Sequence, residues 1–235
     1  MVTLNTTDFH ERSPLYVLQQ QAQLARLGDS LIVSRYADED EAAQFERCAL
    51  LDLSNLARVG FRGADAAEHL SAQHFDLPDV PNRCVLQSDG SQVARLSQTE
   101  YFVLGSLHDA GTRVQTLERQ WQQSAKACYM LPRQDSHAWL VLAGEHASAV
   151  MAKVCGVDLR QQAFAVGAVA QTSVARMSAV VINGSSTSVP LFHILCDRAS
   201  AQYLWGALLD AMQEFAGKAV GVDVLYPNSG AMPRL

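Results

Sequence analysis

The chain has 235 residues, 49% of them hydrophobic and 18% charged, with a formal net charge of −6. That is enough apolar material for a sizeable core in one large domain or two small ones, and it excludes a disordered chain. The 18 Lys and Arg are scattered and outnumbered by 24 Asp and Glu, which argues against a nucleic-acid role, because phosphate binding needs a basic face.

In chain order, Asp8, His10, Glu11 and Arg12 stand where a secretory signal would need a basic start and an apolar block. The longest apolar stretches, Ala163 to Ala170 and Ala179 to Ile182, fall far short of the roughly 20 residues that cross a bilayer. A soluble cytoplasmic protein with no membrane partner is expected. Ser13-Pro14-Leu15 reads as a helix start with Ser13 as N-cap and Pro14 in the first turn, and the helix would run from Tyr16 to Leu27 and end at Gly28. Leu31 to Val33 predicts a short strand, and Asp38-Glu39-Asp40-Glu41 an acidic, solvated connector.

Cys48 to Phe61 predicts one or two buried strands, and Gly63 opens a helix to about Gln73. After the breakers Pro78, Asp79 and Pro81, Cys84 to Gln87 and Val93 to Leu96 flank the turn Ser88-Asp89-Gly90; Asp-Gly is a strong hairpin signal because the turn needs positive φ. Glu100 to Leu104 is the next strand, and Thr112 to Trp121 a helix with Val114, Leu117 and Trp121 on one stripe. The order is βαβββα. A seam at Pro132 to Asp135 precedes the same order again: strand His137 to Leu142, helix Glu145 to Cys155, strands within Ala168 to Val174 and Met177 to Ile182, strand Val189 to Cys196, and helix Ser200 to Phe215. Tyr226 to Gly230 reads as a fraying end.

The residues themselves repeat. Val59-Gly60-Phe61-Arg62-Gly63-Ala64-Asp65-Ala66 is matched by Leu140-Val141-Leu142-Ala143-Gly144-Glu145-His146-Ala147, at an offset of 81 (144 − 63). Asp76-Leu77 is answered by Asp158-Leu159, Ala94-Arg95-Leu96 by Ala175-Arg176-Met177, and Tyr101 to Leu104 by Leu191 to Ile194, where the offset reaches 90 (191 − 101). The widening calls for a longer hairpin loop in the second copy, around Asn183-Gly184-Ser185-Ser186. A period of this length predicts two similar half-domains rather than a solenoid. The expected fold is α+β: two βαβββα half-domains, each an antiparallel sheet covered on one face by helices, about a pseudo-twofold axis. The expected organisation is an N-terminal helix and connector over 1–47, half-domains over 48–131 and 136–217, and a tail over 218–235.

Candidate chemistry is sparse. Cys48, Cys84, Cys128, Cys155 and Cys196 are odd in number and widely spaced, with no CxxC, so they read as reduced, mostly buried thiols. Gly184-Ser185-Ser186 lacks the elbow of a serine nucleophile, and Gly60-Phe61-Arg62-Gly63 lacks the pattern that cradles a pyrophosphate. Of the histidines, His69 and His146 occupy similar neighbourhoods out of register, His74, His108 and His137 are isolated, and His193 reads as a hydrogen-bonded core residue. No catalytic and no metal-ligating residue is therefore assigned. Arg95 and Arg176 hold matching places, where an anionic ligand tail, an acidic partner or, more simply, a carboxylate of the same half-domain would pair with them. Tyr203 and Phe215 read as core, and Trp205 as either core or an interface anchor.

The stretch Leu50-Leu51-Asp52-Leu53-Ser54-Asn55-Leu56-Ala57-Arg58-Val59-Gly60-Phe61-Arg62-Gly63-Ala64-Asp65-Ala66 resembles the opening of the aminomethyltransferase fold, that of the glycine cleavage T-protein. Ser136 to Leu140, Asp158-Leu159-Arg160, Phe164, Gly167 to Arg176 and Tyr203-Leu204-Trp205 resemble the gamma subunit of heterotetrameric sarcosine oxidase. That resemblance implies a noncatalytic subunit of a flavoenzyme that oxidatively demethylates sarcosine. In that family an alpha subunit carries NAD and a folate-binding domain, a beta subunit carries FAD, a covalent FMN lies between them, and a delta subunit binds zinc. The chain alone would bind none of these groups, and tetrahydrofolate would capture formaldehyde at the alpha subunit. The alternative implied by the fold is a stand-alone folate-binding protein or aminomethyltransferase-like enzyme, with a channel between the half-domains as its pocket. Against it, the T-protein's acidic pair after the first hairpin turn is replaced by Gly90-Ser91-Gln92-Val93-Ala94-Arg95, and the chain would end before that enzyme's C-terminal barrel. The Lys-Gly-Cys-Tyr-x-Gly-Gln type of motif that marks the cluster-repair branch of the fold is likewise missing from the sequence.

Overall fold

The computed structural model describes residues 11–36, 40–123, 125–185 and 189–225. A 3-10 turn at Tyr16–Leu18 leads to the hairpin β1 (Gln23–Leu27) and β2 (Ser30–Arg35), then α1 (Glu41–Arg47), β3 (Ala49–Asp52), β4 (Arg58–Arg62) and α2 (Ala66–Ala72). Strands β5 (Arg83–Leu86), β6 (Gln92–Arg95) and β7 (Glu100–Leu104) precede α3 (Thr112–Arg119) and β8 (Tyr129–Pro132). The second round is β9 (His137–Ala143), α4 (Ala147–Val154), β10 (Val169–Val174), β11 (Met177–Asn183), β12 (Leu191–Asp197) and α5 (Ala201–Met212), followed by β13 (Lys218–Ala219). The doubled βαβββα order is present, as β4 to α3 and β9 to α5.

The predicted helix from Tyr16 to Leu27 is not formed. Its first turn is a 3-10 turn, and the remainder is β1, paired with β2 through the two-residue turn Gly28-Asp29, with Gly28 at φ 57°. A left-handed glycine between two apolar runs favours a tight hairpin over a helix stop. Ser13 still anchors the segment: its hydroxyl accepts from the Leu15 N–H (3.0 Å) and donates to Asp52, which also accepts from Gln19 Nε2 (2.7 Å). The acidic connector does more than face water. Asp40 caps α1, and Glu41 is buried, accepting from the backbone N–H of Tyr36 (2.7 Å) and Gly221 (3.0 Å). Asp38, Glu39, Ser186 and the tail from Tyr226 lie outside the described residues.

Two antiparallel sheets carry the repeat. One has the order β5-β6-β7-β4-β8 and the other β10-β11-β12-β9-β3-β13, in which the β13 pairing is parallel. Each sheet is completed by a strand from the other side of the repeat: β3, just before β4, lies beside β9, and β8, just before β9, lies beside β4. The connections 53–57 and 133–136 therefore cross from one sheet to the other. Between the sheet edges, β5 and β10 are stitched by an antiparallel bridge, with Cys84 N–H donating to Gly167 O (2.7 Å) and Val169 N–H to Asn82 O (3.0 Å).

Strand alternation divides the core into layers. Val59, Phe61, Val93, Tyr101 and Val103 face α2 and α3, while Leu140, Leu142, Phe192 and Ile194 face α4 and α5. The opposite faces of both sheets meet in a third cluster that includes Ala94, Phe102 and Leu104 from one and Leu51, Trp139, Val141 and Leu195 from the other, closed by Leu27 and Ile32 of the hairpin. The order of layers is helices, sheet, sheet, helices.

Gly63 and Gly144 mark the axis. Both have positive φ (136° and 110°), and both run against the chain entering the exchanged strand: a Cβ on Gly63 would lie 2.0 Å from Ala127 O, and one on Gly144 2.4 Å from Arg47 O. Gly144→Ala is expected to lower unfolding free energy by about 2 kcal/mol or more. Gly206→Ala in α5, where a Cβ meets nothing within 4 Å, should raise it by about 0.5–1 kcal/mol. Urea unfolding midpoints of the two variants check both signs.

Candidate functional site

The polar residues that join the halves are built on the two crossing connections. Arg58, at the start of β4, is fully buried and faces carbonyls from both of them. Nη1 donates to Ser54 O and Leu56 O (both 2.9 Å), and Nη2 donates to Gln134 O (2.9 Å) and to His137 O. Burial, aided by nearby Arg198, pulls the guanidinium down to about 9, opposed by the charge of Asp52, so it remains a cation at neutral pH. Ser54 tightens the same crossing: its Oγ accepts from Trp139 N–H (3.1 Å).

A second polar chain crosses the core between the sheets. Trp139 Nε1 donates to His193 Nδ1 (3.1 Å), and the other ring nitrogen lies 3.0 Å from the side-chain amide of Gln92, on the opposite sheet. Indole can donate but not accept, so Nδ1 is unprotonated and the neutral ring carries its proton on Nε2; that N–H is satisfied with the Gln92 amide turned so that its oxygen, not its NH2, faces the ring. Burial holds His193 at about 4. The residue is a hydrogen-bonded core histidine, as its apolar strand predicts. His137 is also held at about 4, by burial and then by Arg133 and Arg58.

The first hairpin turn, after which the T-protein's acidic pair is missing here, is locked. Asp89 accepts from Ser91 Oγ (2.6 Å) and from Arg113 Nη1 (2.8 Å), and Arg113 also covers the Phe75 ring at 3.8 Å. Burial opposes ionisation of Asp89, but these hydrogen bonds outweigh it and hold the carboxyl below its usual range. Beyond the turn, Gln92 points to His193 rather than to solvent. Among the described residues Arg95 forms hydrogen bonds with loop carbonyls in place of the expected carboxylate: it donates to Pro78 O (3.1 Å), Asp79 O (2.6 Å) and Gln98 O (3.0 Å) and lies over Tyr101. Arg176 is exposed in the β10–β11 turn at φ 68°.

The aromatic residues of α5 reverse one expectation. Trp205 is 4% exposed and Tyr203 56% exposed, because the buried stripe runs through Ala201, Leu204, Trp205, Leu208 and Met212 and leaves Tyr203 on the far side. All five cysteines are free. Burial pushes Cys48 and Cys196 up to about 11 and Cys84 up to about 12, so these three are thiols rather than nucleophilic thiolates at neutral pH. Among the described residues no group of three or more His, Cys, Asp or Glu is placed to hold a metal ion.

The resemblance to folate enzymes can be tested on the space between the sheets. It is filled: Phe102, Leu104, Leu51, Trp139, Val141 and Leu195 occupy it, and the buried Trp139–His193–Gln92 chain satisfies its polar groups. The residues there do not fit a folate channel. A groove of about 320 Å³ does lie elsewhere, between α2, the end of α3 and the connection to β8, bordered by His69, Trp121 and Lys126.

A family model described as the GCVT N-terminal domain matches residues 17–226. The chain belongs to this family. Among solved structures it is similar to heterotetrameric sarcosine oxidase from Corynebacterium sp. U-96, in complex with pyrrole 2-carboxylate, with a TM-score of 0.64 and 20% identity over 88% of this chain and 97% of that one. It is also similar to the glycine cleavage system aminomethyltransferase T from Bartonella henselae, with a TM-score of 0.68 and 17% identity over 90% of this chain and 59% of that one. At these identities the likeness establishes the aminomethyltransferase fold. No curated protein matches the chain. No helix among the described residues is long and apolar enough to cross a membrane.

Two outcomes are expected of this family member. Arg58→Lys should cost about 3 kcal/mol or more in urea unfolding, because one ammonium cannot serve carbonyls on both connections and leaves some of them buried and unpaired. His193 binds protons less readily folded than unfolded, so its contribution is complete above its unfolded pKa of about 6.5 and is lost as pH falls toward 4, about 3 kcal/mol in all. His193→Gln, which keeps an acceptor for Trp139, should flatten the fall in stability between pH 6.5 and 4 to the part set by His137 and His69, whose folded forms also bind protons less readily; an unchanged slope would exclude His193 as a source.

Proposed function

We propose that the chain is a noncatalytic, gamma-type subunit of a heterotetrameric flavoenzyme that oxidatively demethylates sarcosine to glycine, with folate-linked capture of formaldehyde. The observation that carries this reading is the packed space between the sheets, where a folate transferase would need its pocket and this chain has a core. Three other features support it. The structural likeness spans nearly the whole of a sarcosine oxidase chain but 59% of the T-protein, the turn acid Asp89 is engaged by Arg113, and the thiols of Cys48, Cys84 and Cys196 are raised by burial.

In this reading FAD, FMN, NAD and tetrahydrofolate are bound by alpha and beta partners, zinc by a delta partner, and the assembly works in the cytoplasm. The contribution of this chain is surface: a subunit interface of standard size buries about 1,600 Å² and draws its energy from a few apolar anchors. The tagged chain, purified from its native source, is expected to bring down larger chains with flavin absorbance. A lone monomer that binds tetrahydrofolate at micromolar concentration in calorimetry would replace this reading with a stand-alone folate protein.

A further inference from the structure

The internal twofold is broken at one edge, and the break has a definite shape. In the second half the outer edge of β3 is covered by β13, with Lys218 N–H donating to Cys48 O (3.2 Å) and Val220 N–H to Leu50 O (3.0 Å). The chain reaches that edge from α5 through Phe215, whose ring stacks on His146 (centroids 4.7 Å apart) and lies under Lys153 Nζ (4.8 Å). It then turns at Gly217, where a Cβ would come within 2.8 Å of Cys48 Sγ. An aromatic plug, a small residue and a short parallel strand thus close this half.

Among the described residues, the first half has the receiving surfaces without the strand. β8 corresponds to β3 at an offset of 80 (129 − 49), and it ends its sheet, paired with β4 on one side. Cys128 and Met130 stand where Cys48 and Leu50 stand, so their carbonyls point away from β4. Two contacts agree with that placement. Gln123 Nε2 reaches Cys128 O from outside at 3.5 Å, the limit of a hydrogen bond, and the next outward position is Pro132, which has no N–H to leave unpaired. Tyr129 on this edge is 55% exposed.

The helix face agrees as well. Asp65, His69 and Ala72 correspond to His146, Val150 and Lys153 at an offset of 81 (153 − 72). Phe215 covers the later helix at His146 and Lys153; on the earlier one Trp121 packs on His69 (centroids 4.9 Å apart) and Phe61 (5.4 Å), and the groove of about 320 Å³ lies beside it, bordered by Ala72 and Cys128. Groove and edge meet at Cys128. Their combined form is that of the site which Phe215 to Val220 fills in the other half.

We propose that the α2–α3 groove and the β8 edge together bind an extended segment of a partner subunit, with an aromatic side chain in the groove, a small residue beside Cys128 and a short strand running parallel to β8. The mode is strand addition, in which backbone bonds hold the segment and the groove selects its side chain. The proposal rests on the subunit reading above and gives that assembly a docking surface.

Hydrogen–deuterium exchange on the lone chain and on the complex purified with its partners tests it. The Met130 amide should exchange at least about tenfold more slowly in the complex, and Ala72→Trp, at an exposed helix position, should weaken partner retention about tenfold, while Val166→Ser on another exposed surface should not. Partner binding with Met130 unprotected overturns the docking surface and leaves the subunit reading standing. Protection of Met130 already in the lone chain also overturns it: independent of concentration, it means that residues 1–10 or 226–235 cover the edge; concentration-dependent, it means a second copy does. Failure of any flavin-bearing chain to co-purify removes both.

Discussion

The guanidinium of Arg58 sits where two connections cross, and the arrangement of the halves depends on it. Each connection leaves one sheet for the other, and each ends a strand with carbonyls that no ladder can satisfy. A planar cation with several fixed donors can serve carbonyls on both sides at once, which a lysine or an amide cannot. No carboxylate is among its hydrogen-bond acceptors, so the burial of this charge is offset at short range by backbone carbonyls and, more distantly, by the side-chain amide oxygen of Gln134 (3.4 Å). With the crossing fixed, Trp139 and Gln92 are brought to opposite sides of His193, and the faces of the sheets close on each other. The packed interior is thus a consequence of how the chain crosses itself.

Much of this was legible in the residues. Gly63 and Gly144 stand at equivalent points because both must leave room for the chain entering the exchanged strand, so the repeat in sequence is a record of a contact. The Asp89-Gly90 turn, the paired helices and the burial of His193 follow from local pattern. What was not legible was non-local. β8 is four residues long, ends in proline and has half-buried middle residues, so nothing local marks it as a strand; its nearest signal is Cys128 recurring 80 residues after Cys48 (128 − 48). The N-terminal hairpin was hidden because Leu15, Leu18, Leu24 and Leu27 fit a helical stripe, although Leu18 is exposed and the stripe is never buried as one face. Arg58 looked like an ordinary strand residue, since a sequence does not announce which carbonyls will converge on a side chain.

The same features engage several potentially reactive groups. Asp89 is committed to Arg113, His193 to Trp139, and the thiols of Cys84 and Cys196 are raised by burial. The volume between the two sheets is taken up by packed side chains. Among the described residues, the β8 edge and the groove beside it lie at the periphery, where the proposed partner segment would meet them.

The exchange of β3 and β8 also sets an order of events during synthesis. β3 can pair only with β9 and β13, so it waits for roughly 85 residues to be translated before its first neighbour exists (137 − 52). Until then an apolar strand stays unmatched, which makes the nascent chain depend on late arrivals and slows its folding in the manner of topologies with distant contacts. A ribosome-bound fragment ending before His137 is therefore not a smaller version of the protein but an unfinished one.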